Sequence, residues 1–130
     1  MQVLRPLDPS HISFSANANR CRKWITDALR YDHNSHTFEQ VIDIVKRGDA
    51  QLWALKDSAV VTEIISYPQR RTLRFWLAGG NLKTLLEVEP KIRKWSILYR
   101  CEAVEIVGRK GWEKVLKDYE TTAIVLVKEY

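Results

Sequence analysis

Residues 72–107 constrain this chain more than any other stretch. An apolar, β-rich run at 72–77 leads into Gly79 and Gly80, a helical stretch at 82–100 follows, and a second β-rich run occupies 101–107. A strand, a helix and a strand in that order cross over right-handed and lie side by side in parallel. Upstream, residues 50–56 and 59–66 are β-rich runs separated by Asp57-Ser58, and Tyr67-Pro68-Gln69-Arg70 makes a second turn into 72–77. Three consecutive antiparallel strands therefore precede the crossover. The expected fold is α/β (α+β): a single mixed β-sheet, an antiparallel meander followed by a βαβ crossover, with helices on both faces. One domain spans 1–130, and residues 1–36 are its least constrained part.

The helices follow from spacing. Cys21, Trp24, Ile25, Ala28 and Leu29 recur at three and four, one apolar stripe with Arg20, Arg22 and Lys23 outside it. Thr37-Phe38-Glu39-Gln40 reads as a capping box that starts a second helix, with Phe38, Val41, Ile42 and Val45 inward and Gly48 at its end. Pro90 interrupts the stretch at 82–100, because a proline has no amide to give the helix. The expectation there is one helix to about Val88 and a second starting around Pro90, with Ile92, Trp95, Leu98 and Tyr99 inward. Residues 2–7 alternate weakly and read as a short strand, 111–117 as a short helix, and 121–127 as a buried final strand. Trp24, Trp53 and Trp95 fall on apolar stripes, whereas Trp76 and Trp112 are candidates to border a cleft.

Charge narrows the partners. The net charge is +5, and residues 70–117 carry twelve Lys and Arg against five Glu, a balance of +7 that leaves −2 for the rest. Arg70, Arg71 and Arg74 cluster at one hairpin, Lys91, Arg93 and Lys94 on one helix, and Arg109, Lys110 and Lys114 in a third group. Such a field favours an anionic partner: coenzyme A, nucleic acid or an acidic protein surface. No apolar run reaches the length of a membrane span, and MQVLRPLDPSH has no signal-peptide core, so no membrane role and a cytoplasmic setting are expected. Cys21 and Cys101 are far apart and read as reduced thiols. Asp32, His33 and His36 share a polar turn without a third committed ligand type, and no metal site is expected.

At this point the chain resembles the GNAT superfamily of N-acetyltransferases. The pieces are Leu73-Arg74-Phe75-Trp76-Leu77, then Ala78-Gly79-Gly80-Asn81, then the helix, with Gly108-Arg109-Lys110-Gly111-Trp112 and the residues to Glu120 as a last helix and turn. "FWLAGG" with "VEIVGRKGWEKVLKDYE" looks most like small GNAT-like proteins of tailed bacteriophages. The resemblance implies acetyl coenzyme A wedged between the two parallel strands, with its pyrophosphate on amides at the helix start. Leu77, Ala78, Gly79, Gly80, Asn81 and Lys83 are then the cofactor-binding candidates. Glu63 is the strand carboxylate in the position of a general base, and Tyr119 the nearest tyrosine to the position of a general acid. The chain departs from the family pattern in a cofactor loop short by several residues and in Val115 and Leu116 where the acid tyrosine falls. The expected function is therefore a phage-type GNAT-fold protein with a degenerate loop, a non-catalytic assembly or binding module working in the infected host cytoplasm or on the virion. The alternative is a small acetyl-CoA-dependent N-acetyltransferase acting on an amine.

Overall fold

A computed structural model describes residues 4–130. Its sheet has four strands in the order β1 (Gln51–Ala54), β2 (Ser58–Tyr67), β3 (Arg70–Gly80) and β4 (Ala103–Ile106). The first three form the expected antiparallel meander, and β3 and β4 run parallel with Thr72 opposite Ala103 and Phe75 opposite Ile106. Helices α1 (Phe14–Arg20), α2 (Arg22–Leu29) and α3 (Phe38–Lys46) cover one face, where Phe14, Ile25, Leu29, Val41 and Val45 meet Leu52, Val61 and Leu77. Helix α4 (Leu82–Leu98) makes the crossover on the other face. Its Leu85, Val88 and Ile92 pack with Trp53, Leu73 and Phe75. Among the described residues, no helix is long and apolar enough to cross a membrane.

One irregularity lets β3 serve both cores. Val61 pairs with Leu77 and Thr62 with Phe75, so Trp76 is an extra residue on β3, a β-bulge. Leu73 and Phe75 face α4, while Leu77, two positions on from Phe75, faces the α1–α3 side. Without the bulge, period-two alternation would put Phe75 and Leu77 on one face.

The capping box is present: Thr37 Oγ1 accepts from the Gln40 amide and the Gln40 side chain accepts from the Thr37 amide. Helix α1 was not read from the sequence, although Phe14, Ala18 and Cys21 lie buried at helical spacing. Four expectations need correction. Helix α4 runs unbroken through Pro90, which sits on its exposed side. A mid-helix proline costs roughly 3 kcal/mol, and the apolar stripe on both sides of it offsets that by burial. Leu98 and Tyr99 are exposed rather than inward, because the buried stripe of α4 ends at Ser96 and the helix itself stops at Leu98. Residues 4–7 form no strand, since Pro6 has no amide to pair and only the Leu7 amide reaches Leu52 O, at 2.8 Å; Gln2 and Val3 lie outside the described residues. Residues 121–127 also form no strand: every residue from 120 to 130 is exposed. The four-residue β4 is the sheet's last strand, and nothing pairs with its outer edge among the described residues.

Candidate functional site

The site begins where two strands part. The β3–β4 ladder ends at Phe75 and Ile106, but β3 continues beside β2 to Gly80 while the chain after β4 turns away through Val107 and Gly108. A narrow cleft of about 60 Å³, open to solvent at its mouth, lies between them. Leu77 and Ala78 form one wall, Ile106, Val107 and Trp112 the other, and Leu85, Leu86 and Glu89 of α4 the base. From Trp76 onward, the backbone edge of β3 that faces the cleft has no strand partner among the described residues. An extended ligand with amide groups could pair there as a strand would.

The glycine pair is not a loop. Gly79 and Gly80 are the last residues of β3, opposite Ala59 and Ser58. A Cβ at Gly79 would lie 2.3 Å from the Trp24 carbonyl oxygen of α2, so glycine is what lets helix and sheet touch. At Gly80, φ is +112°, and a Cβ would meet Asp57 O at 2.4 Å and Ser58 Cα at 2.5 Å. Only Asn81 separates β3 from α4. Its side-chain oxygen caps the helix by accepting from the Thr84 amide at 3.2 Å, and its own amide reaches Asp57 O at 3.3 Å. The Leu82 and Lys83 amides remain as the helix start's free donors among the described residues, with the exposed Lys83 side chain beside them. Of the six cofactor candidates, Leu77 and Ala78 line the cleft, whereas Gly79, Gly80 and Asn81 are engaged in packing and capping.

At the base of the cleft, Glu89 is buried on the inner stripe of α4. Its Oε2 accepts from Arg93 at 3.1 Å, and its Oε1 accepts from the Tyr119 hydroxyl at 3.3 Å. Burial, reinforced by the Glu89 charge, holds the Tyr119 hydroxyl well above the usual tyrosine range. A phenol so held is a weak proton donor. Sequence reading missed Glu89, although its position one after Val88 and three before Ile92 puts it on the buried stripe.

A second hollow adjoins the cleft, sharing Asp32, Trp76 and Val107 with it and adding His36, Glu63 and Arg74. Arg74 sits between two carboxylates, 2.8 Å from Glu105 and 3.4 Å from Glu63, and the Tyr67 hydroxyl lies 3.1 Å from Glu105. Burial opposes the Arg74 charge, but the Glu105 hydrogen bond and the negative charges around it outweigh burial and raise its pKa. Glu63 is thus half-buried and ion-paired rather than turned to open water. Trp76 divides the two hollows: its Nε1 donates to Asp32 Oδ2 at 3.0 Å, and the His36 ring stands edge-on to it at 4.9 Å. Asp32 is held further by the Ser35 hydroxyl at 2.6 Å, while His33 is exposed with φ of 56°. Among the described residues, no three His, Cys, Asp or Glu side chains group as metal ligands.

The basic residues divide by what they already hold. Arg74 and Arg93 are ion-paired, and Arg71 donates to Tyr99 O at 2.7 Å and Ser66 Oγ at 2.9 Å. Arg109 lies 4.2 Å over the Tyr31 ring at the cleft wall. Arg70, Lys91, Lys94, Lys110 and Lys114 are exposed. Burial raises the thiol pKa of both cysteines, which are free.

No protein-family model matches the chain, and no curated protein matches it. Solved structures do. TTHA1254 of Thermus thermophilus, in its wild-type form, superimposes with a TM-score of 0.62 at 13% identity, covering 100% of this chain and 97% of that one. An aminoglycoside acetyltransferase from an uncultured soil metagenomic sample, in complex with sisomicin, gives 0.59 at 8% identity over 98% and 95%. A "possible acetyltransferase" of Clostridium difficile 630 gives 0.51 at 9% over 98% and 96%. At these identities the likeness is one of fold: the chain has a GNAT-like fold.

Proposed function

We propose that this chain is a GNAT-fold binding module that accepts the extended arm of a coenzyme A-type ligand weakly and carries out no acyl transfer. The observation that carries the reading is the one-residue link between β3 and α4. A pyrophosphate needs several converging amides, and here Asn81 has taken the Thr84 amide, leaving Leu82 and Lys83 with the Lys83 charge. The free edge of β3 and the apolar cleft walls still suit a pantetheine-like chain. Tyr119, tied to Glu89 and held above its ordinary range, is poorly suited to protonate a leaving thiolate. The bacteriophage-like character of "FWLAGG" and its partner stretch supports an assembly role for such a module, with the exposed Arg70, Lys91, Lys94, Lys110 and Lys114 offered to an anionic protein surface or nucleic acid.

One observation favours the alternative of an N-acetyltransferase with an amine acceptor. The hollow holding Glu63, Asp32 and His36 adjoins the cleft across Trp76, where an acceptor and a general base would have to meet the cofactor.

Calorimetry with acetyl coenzyme A, paired with a thiol-release assay over a panel of amines, separates the two. The module reading expects a dissociation constant no tighter than high micromolar, weakened further by Val107→Asp, and no thiol release. Micromolar binding with amine-dependent release gives the enzyme reading. No heat at millimolar ligand removes coenzyme A from both.

A further inference from the structure

The three walls of the cleft differ in how they are held. At about 60 Å³ the cleft has room for a few waters, whereas a small-molecule ligand ordinarily takes roughly 300 Å³ or more. A ligand therefore enters only if a wall gives way. The β3 wall is fixed, since β3 stays paired with β2 as far as Gly80 opposite Ser58. The α4 wall is fixed as well, with Leu85 and Val88 buried in the sheet core and Asn81 capping the helix.

Residues 107–119, the third wall, have no such hold. The β4 ladder ends at Ile106. Among the described residues, every backbone bond made from 107 to 119 closes within the segment: the Trp112, Glu113 and Lys114 amides each reach a carbonyl three residues back, Leu116 reaches Trp112, and Tyr119 reaches Leu116. Side chains alone tie the wall to the body. Arg109 lies 4.2 Å over the Tyr31 ring, Trp112 packs against the α4 core, Leu116 is buried, and the Tyr119 hydroxyl donates to Glu89 Oε1 at 3.3 Å. Past Tyr119 the chain is exposed through residue 130, so the wall joins the sheet at its 107 end only. Gly108 makes room at that end: a Cβ there would lie 3.2 Å from Trp112 Cδ1. Glycine thus lets the indole fold back over the chain.

The geometry points to residues 107–119 as a flap that keeps the cleft shut, with the Tyr119–Glu89 hydrogen bond as its latch. In the closed form Trp112 and Leu116 line the cleft together with Leu77 and Ala78 and hold it to its present width. Opening swings the segment about Val107 and Gly108 as a unit, because its own backbone bonds travel with it, and lays bare Leu77, Ala78 and Leu85. The cost is a few side-chain contacts and no sheet ladder, so the motion is local and lies well below unfolding of the body. The latch also gives Glu89 a purpose. A buried carboxylate needs partners, and one of its two is at the far end of the flap. A ligand that binds only the open form has its affinity reduced by the open fraction, so the contact is autoinhibitory. The ligand admitted is that of the preceding reading, and this part alone rests on it.

Thiol labelling of the full chain without ligand tests the flap. Leu85→Cys puts a probe on the cleft floor, and the buried Cys21 and Cys101 report unfolding of the body in the same sample, each site read by peptide mass spectrometry. The expected result is that Cys at 85 reacts well before the other two, at a rate that low urea does not change. Cutting the latch with Tyr119→Phe speeds that site about fivefold, and Arg109→Ala speeds it about threefold, with Cys21 and Cys101 unaffected. Labelling of all three sites at one urea-dependent rate overturns the flap, as does a rate at 85 indifferent to both variants. Should Leu85→Cys not fold, fluorine NMR of the 5-fluorotryptophan chain decides instead: the Trp112 line, assigned by Trp112→Phe, moves with Tyr119→Phe while the Trp53 line stays, and an unmoved Trp112 line overturns the flap. Calorimetry with acetyl coenzyme A then tests the ligand separately. Tyr119→Phe is expected to tighten binding about fivefold, and no heat with either chain overturns the coenzyme A-type reading and not the flap.

Discussion

Replacing Gly80 with alanine should cost this protein about a third of a typical stability, for two separable reasons. Backbone at φ of +112° is held without strain only by glycine, and a side chain forced there costs roughly 1–3 kcal/mol. The new Cβ also meets backbone of the β1–β2 turn, Asp57 O at 2.4 Å and Ser58 Cα at 2.5 Å. Neither atom can rotate away, so overpacking adds about 1–3 kcal/mol. The total is about 4 kcal/mol against a folding free energy of roughly 5–15 kcal/mol. At about 4 °C per kcal/mol for a chain of this size, Tm falls by roughly 15 °C. Three other glycines calibrate the estimate. Gly79→Ala has the clash with the Trp24 carbonyl without the positive φ, and should lose about 2 kcal/mol. Gly48→Ala has φ of +86° with nothing within 4 Å, leaving strain alone, about 1 kcal/mol. Gly111→Ala, at φ of −57° in open space, should change stability by less than about 1 kcal/mol. Thermal and urea unfolding followed by circular dichroism give the order. If Gly80→Ala melts with Gly48→Ala, the close approach does not constrain the sheet, and these glycines regain their claim to a ligand.

Three further outcomes are expected. Tyr119 has a folded-state pKa raised above its unfolded value of about 10, so its neutral form is favoured in the fold and its contribution is lost as pH rises past about 10; Tyr119→Phe should flatten the alkaline limb of stability, measured by urea unfolding from about pH 8 to pH 11. The Thr72 hydroxyl is buried with no partner among the described residues, so Thr72→Val should raise stability by about 1 kcal/mol in the same assay. Thr37→Ala removes one arm of the α3 capping box and should lower it by about 1 kcal/mol, with Thr37→Ser restoring most of that.

The meander, the crossover and the parallel β3–β4 pair were legible because each rests on a local signal: alternation, turn residues, and a helix between two apolar runs. What misled was a signal answered elsewhere in the molecule. Pro90 marks a break by its own chemistry, but Val88 and Ile92 on both sides of it are gripped by the sheet. Gly79 and Gly80 look like a loop because glycine leaves strands; their reasons are Trp24 and Asp57, 55 and 23 positions away in the chain. The site was half legible. Glu63 was recognised as a strand carboxylate, but its ion pair with Arg74 depends on a cross-strand register that spacing does not give. Arg74, counted with Arg70 and Arg71 as surface charge, is committed to that pair. Glu89 could have been found, since an acid on a buried stripe needs a partner.

The bulge on β3 has a bearing on how this molecule could have come about. Trp76 is the single residue of its strand with no opposite number: remove it, and Val61 still meets Leu77 while Thr62 still meets Phe75. The tryptophan is therefore a word added to a sentence that already parses. A chain one codon shorter keeps its ladder, but the α1–α3 core loses the indole packed against it, the wall between the cleft and the Glu63 hollow goes, and Asp32 loses its donor. Two adjoining compartments instead of one, in a sheet whose register is unchanged, is the kind of step a gene can take by a single insertion.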